Sequence, residues 1–81
     1  MENLRNFKAN NEITATAKRF VVRATQYGIN FLEHLIEDTN GKQYVVIYAD
    51  GEFKGAKMIK SIDNLIEVTR AVSSNFSVVE I

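Results

Sequence analysis

With 81 residues, 46% of them hydrophobic and 25% charged, the chain has the composition of one small globular domain rather than a disordered segment. It contains no cysteine, which excludes disulfide staples and thiolate metal sites, and its formal net charge of zero sets it apart from strongly basic nucleic-acid-binding domains. No apolar run is long enough to span a bilayer, and the polar start, MENLRNFKANNE, lacks the apolar core of a signal peptide; a cytoplasmic protein with no membrane contact is expected.

Charge is distributed unevenly. Residues 1–28 carry five basic and two acidic side chains, residues 29–52 one basic and five acidic, and residues 53–81 four basic and three acidic. Residues 1–11 read as a polar N-terminal arm, mobile or docked through Leu4 and Phe7, its only large apolar side chains. Residues 12–81 read as a single α+β domain.

Two patterns compete in residues 12–25. Thr14, Thr16, Val21, Val22 and Thr25 favour a strand because β-branched side chains fit a pleated surface. Ile13, Ala17, Phe20, Val21 and Ala24 also follow helical spacing, with Asn11 as a cap and Gly28 as a stop. A strand over 17–25 is the preferred reading, followed by a turn at Gln26-Tyr27-Gly28.

The ribbon from Ile29 to Phe53 organises the rest. Residues 29–38 and 43–49 are strand-like runs joined through Asn40-Gly41, and Asp50-Gly51 leads into a fourth strand from Glu52 to about Ile59. Asn-Gly and Asp-Gly favour type I′ turns because both central residues need positive φ. A two-residue Asn40-Gly41 loop pairs Ile36 with Val45, His34 with Ile47 and Leu32 with Ala49 on a core face. The same count pairs Glu37 with Tyr44, Leu35 with Val46 and Glu33 with Tyr48 on a half-wet outer face. At the second turn, a two-residue loop pairs Tyr48 with Phe53, whereas a three-residue loop pairs Ile47 with Phe53. Gly55 suggests a bulge in the fourth strand.

Ser61 to Ser73 is the clearest helix. Ser61 is a good N-cap, Asp63 suits the positive end of the helix dipole, and Ile62, Leu65, Ile66, Thr69 and Val72 form one stripe. Glu67 and Arg70 are spaced to pair on the wet side. Phe76 to Ile81 reads as a last strand. The expected fold is therefore α+β: an antiparallel β-meander of about four strands, one amphipathic helix and a short C-terminal strand, β-β-β-β-α-β. One helix covers only part of such a sheet, which leaves a face for the arm, a second subunit or a ligand.

Chemistry is sparse. His34 is the only histidine, and no serine sits in a nucleophile-elbow context. Glu33 and Glu37 lie two strand repeats apart, too far for a tight metal site. No phosphate-binding, calcium or dinucleotide pattern occurs. Neither catalysis nor a cofactor is expected.

The leading expectation is a small regulatory or inhibitory protein that binds another protein through the open sheet face. Glu33, Leu35, Glu37, Tyr44, Val46, Tyr48 and Phe53 would supply the contact. A homodimer through that face or an edge strand belongs to the same reading, and many small phage-encoded regulators have this general character. The alternative is a single-stranded nucleic-acid binder using Lys18, Arg19, Arg23, Lys54 and Lys57, with sheet aromatics for stacking. In architecture alone, a meander followed by a helix is similar to the sheet-plus-helix units of Whirly-type single-strand-binding proteins. That resemblance extends to no motif.

Overall fold

Residues 16–81 are described by the structure, a computed structural model, with side chains from Lys18 onward. The polar arm expected over residues 1–11 and the doubtful segment 12–15 lie outside the described residues. From Thr16 the chain is strand: β1 spans Thr16–Gln26, β2 Ile29–Asp38, β3 Gln43–Ala49 and β4 Glu52–Ile59. Helix α1, Ile62–Val72, then leads to β5, Ser74–Glu80. Among the described residues these elements form an α+β fold with one antiparallel sheet in the order β4-β3-β2-β1-β5.

Three turns set the register. Tyr27 and Gly28 have φ of 52° and 76°, and Gln26 pairs with Ile29, so β1 and β2 meet in a two-residue turn of the type I′ kind. Asp50 and Gly51, at 49° and 84°, do the same between β3 and β4, which pairs Tyr48 with Phe53. The β2–β3 turn departs from the expected two-residue loop. The backbone N–H of Asp38 donates to the Lys42 carbonyl at 2.9 Å and that of Gly41 to the Asp38 carbonyl at 3.1 Å. Thr39, Asn40 and Gly41 thus form a three-residue loop, with Gly41 left-handed at φ 83°.

The cause is the Asp38 side chain. It is buried, and its Oδ1 accepts from the backbone N–H of Asn40 and of Lys42, both at 2.9 Å. A carboxylate that satisfies two loop donors selects the longer loop. The β2–β3 register therefore moves by one residue: Leu35 lies opposite Val45, Ile36 opposite Tyr44, and Leu32 opposite Tyr48. Because strand side chains alternate, one residue exchanges the faces of β3 relative to β2. The expected pairs Ile36–Val45 and Leu35–Val46 are replaced.

Two buried clusters result. On the helix side, Val22, Leu35, Val45 and Ile62 pack with Phe20, Ile47, Leu65, Ile66, Phe76 and Val78. On the second face, Ile36, Tyr44, Val46 and Tyr48 pack with Leu32, Phe53 and Ala56. Leu35, Ile36, Val22, Val45 and Val46 are fully buried. Each such side chain contributes about 1.5–3 kcal/mol through burial.

Helix α1 is tied to the sheet at both ends. Ser61 Oγ accepts from the Asn64 N–H at 3.2 Å, as an N-cap should. The Gln43 side chain donates to Glu37 Oε1 at 2.8 Å, and its oxygen accepts the Ile62 N–H at 2.7 Å. At the far end Gln26 donates to Ser73 Oγ at 2.9 Å. The helix crosses from β3 at one end of the sheet to β1 at the other. The expected Glu67–Arg70 pair is absent among the described residues; the Arg70 guanidinium instead lies 5.1 Å from the centre of the Phe76 ring. In β4 a bulge falls between the pairs Ile47–Gly55 and Tyr48–Phe53, as the glycine suggested.

Candidate functional site

The second face divides into unlike halves. On β2 and β3 the apolar residues Ile36 and Val46 are sealed, and Tyr44 and Tyr48 are 9% and 7% exposed. His34 stands edge-on to Tyr48, with ring centres 5.8 Å apart, and Tyr48 edge-on to Phe53 at 5.9 Å. Three rings thus run across three adjacent strands. That half is core.

The β1–β5 half is accessible. Residues of β1 alternate, so Arg19, Val21, Arg23 and Thr25 share this face with His34, which lies directly opposite Val21. Val21 is buried, whereas Arg23 is exposed and Arg19 half-buried. Across the other side of β1, Val21 pairs with Val79 and Arg23 with Ser77. Val79 is 53% exposed and Ile81, just beyond the strand, is 68% exposed. The His34 imidazole is held below its ordinary pKa of 6.5, first by burial and then by the two flanking guanidinium groups, Arg19 and Arg23. The local potential is therefore positive without any charge on the histidine.

At the end of the sheet that carries the Tyr27-Gly28 turn, a polar row crosses three strands and the β3–β4 turn. The Thr25 hydroxyl donates to Asn30 Oδ1 at 3.0 Å, and Asn75 Nδ2 donates to Thr25 Oγ1 at 3.5 Å. The Asn30 N–H donates to Asp50 Oδ1 at 3.1 Å, and the Asp50 N–H returns to the Asn30 carbonyl at 2.8 Å. These residues rim an open cavity of about 650 Å³ that also takes in Arg23 and Leu32. A concave site with a few convergent polar groups and an apolar floor is the usual form of a binding pocket. Beside it Tyr27 is fully exposed in the left-handed region, where a bulky residue is uncommon.

The residues singled out in the sequence do not form one surface. Glu33, Leu35 and Glu37 lie on the helix side, whereas Tyr44, Val46, Tyr48 and Phe53 lie on the second face. The one-residue register shift separates them, and burial removes Leu35, Val46, Tyr44 and Tyr48 from solvent. Glu33 is unusual in its place. Burial pushes its carboxyl above the ordinary 4.5 despite the nearby Lys57, and Oε1 has no hydrogen-bond partner among the described residues. The basic residues split as well. Arg19 and Arg23 share the second face; Lys18 alternates to the helix side beside Glu37. Lys57 acts on Glu33, and Lys54, in the β4 bulge, pairs with Glu52 at 3.3 Å. Three of the four serines have structural partners: Ser61 caps α1, Ser73 accepts from Gln26, and Ser74 donates to the Thr25 carbonyl. Among the described residues no group of three or more His, Asp or Glu comes together in a way that could hold a metal ion.

Sequence reasoning placed Tyr27 in its turn and among the aromatics available for stacking, but passed over Val79 and the Thr25–Asn30–Asp50–Asn75 row. Tyr27 carried a signal, because a tight turn before Gly28 forces positive φ on a tyrosine. The polar row did not, because its members are brought together only by strand pairing.

No family model matches this chain, and neither a curated protein nor a solved structure matches it. Among the described residues no helix is long and apolar enough to cross a membrane. The geometry therefore carries the functional argument alone.

Proposed function

We propose that this is a small non-enzymatic binding protein that regulates or inhibits a partner protein by covering part of its surface. The contact is built on the β1–β5 half of the second sheet face. The observation that carries this reading is a coincidence in space. The exposed Arg23 lies in the lining of the 650 Å³ cavity, and Val79, an exposed apolar strand residue, flanks the same strand. Cation, apolar contact and concavity are the ingredients of a protein interface: charge guides encounter and desolvated apolar area supplies affinity. The complementary partner segment bears a carboxylate for Arg19 or Arg23 and an apolar side chain for the cavity.

The second reading, binding of single-stranded nucleic acid, gains one observation. Glu33 and Glu37 face the helix side, so they do not repel phosphate from Arg19 and Arg23. It loses another, because Tyr44 and Tyr48 are too buried to stack on bases, and Lys54 and Lys57 lie on β4 rather than beside β1.

One experiment separates them: affinity capture from lysate by the full chain, with nuclease added to half the sample. Protein binding expects partners that survive nuclease and are lost from the Arg19→Glu/Arg23→Glu variant. Retention of the same partners by that variant and by Val79→Lys removes this surface from consideration. Partners that vanish with nuclease, together with oligonucleotide affinity that falls steeply with salt, would support the nucleic-acid reading.

A further inference from the structure

The two edges of the sheet are finished differently. At one edge β4 carries Lys54 and Lys57, with Lys60 just after it, and is interrupted by the bulge at Lys54-Gly55. Lysines and bulges are the devices that keep an edge strand from pairing with another chain. At the other edge β5, SNFSVVE, has a single charge, Glu80. Among the described residues nothing pairs with its outer side. The Ile81 N–H donates inward to the Arg19 carbonyl at 2.8 Å. By strand alternation the main-chain groups of Val78 and Glu80 point outward, with no partner among the described residues.

We infer that the chain forms a two-fold symmetric dimer in which β5 pairs antiparallel with β5 of a second copy, joining the two sheets. The occupant of this edge is identified by charge. If Val78 lies on the two-fold axis opposite its own symmetry mate, Glu80 of one copy lies opposite Phe76 of the other. Over that Phe76 ring sits Arg70, 5.1 Å from its centre. Glu80 and Arg70 are both exposed, and neither has an ion pair within its own chain among the described residues. The symmetric arrangement gives each an opposite charge twice over. It also fits sterically. Helix α1 packs against β1 and β5, so two helices related by this axis stand roughly two strand spacings, or about 9.5 Å, apart. That lies within the 8–10 Å at which helices pack side by side.

An axis perpendicular to the sheet keeps like faces together. Dimerisation therefore sets Arg19 and Arg23 of the two copies side by side across β5 and its mate, doubling the basic strip. The dimer does not depend on the partner-binding reading above: charge reversal at Arg19 and Arg23 abolishes partner capture and leaves self-association intact.

The test is sedimentation velocity of the full chain across a micromolar concentration series, with Arg70→Glu, Glu80→Arg and the two combined. Wild type is expected to approach twice the chain mass. Each single reversal weakens self-association by roughly tenfold, since each is felt at two symmetric positions, and the double reversal restores it. Both side chains are exposed, so each variant should keep the fold, Arg70→Glu giving up only its contact with the Phe76 ring, and circular dichroism checks this. A wild-type chain that stays monomeric throughout overturns the inference. So does a dimer indifferent to Glu80→Arg, or a double variant that fails to recover.

Discussion

Asp38→Ala should weaken the fold by about 2 kcal/mol, because it removes the group that chooses the β2–β3 loop. In the folded chain Asp38 is 9% exposed and its Oδ1 accepts two backbone N–H groups at 2.9 Å. Hydrogen bonds to a charged group contribute about 1.5–3 kcal/mol each, and two would set an upper figure near 6 kcal/mol. Asn40 and Lys42 are exposed, so water can take over much of their bonding, which brings the net cost down. Against a total stability of very roughly 4–12 kcal/mol for a chain of this length, that loss is large. It should lower the melting temperature by roughly 10 °C. Asp38→Asn keeps one acceptor oxygen and should lose about half as much. Urea unfolding followed by circular dichroism gives the free energy, and an unchanged m-value shows that the comparison is sound. Cross-strand nuclear Overhauser contacts in wild type should place Leu35 opposite Val45. Stability of Asp38→Ala within about 0.5 kcal/mol of wild type, an ordinary surface effect, would refute the account of the loop. Contacts between Leu35 and Val46 as directly opposed residues would refute the register itself.

Three further predictions concern titration. Glu33 has its pKa raised by burial, so between its ordinary 4.5 and the folded value the native chain holds more protons than the unfolded chain. Stability therefore falls as pH rises through that window, and the penalty persists above it. Glu33→Gln should raise the melting temperature at pH 7 and flatten its pH profile; a lower melting temperature would mean that the carboxylate has a stabilising partner. For His34 the shift is downward, so between the folded value and 6.5 the unfolded chain holds more protons, and stability rises with pH across that interval. His34→Gln should remove this rise. In wild type the His34 resonances should titrate to higher pH when an acidic peptide occupies Arg19 and Arg23, and no movement on saturation would place the peptide elsewhere.

Much of this molecule was legible in residue order. The element sequence, the helix from its Ser61 cap, and the place (though not the length) of the Asp50-Gly51 turn follow from local rules, because positive φ, N-capping and side-chain periodicity are properties of a few neighbouring residues. Even the strand reading of β1, preferred over a helix on its β-branched content, needed no long-range information. The faces were another matter. Asn40-Gly41 alone suggests a two-residue loop, and only the buried Asp38 carboxylate, held among its loop amides, selects three. That single residue moved Glu33, Leu35 and Glu37 to one side of the sheet and Tyr44, Val46 and Tyr48 to the other. The charged half-face depended still more on tertiary structure. Arg23, Leu32, Asp50 and Asn75 are distant along the chain and share a cavity only because β1 lies between β2 and β5. Local order specifies turns and periods; which side chains meet is decided by pairing between strands, and a one-residue change in a loop reassigns them all.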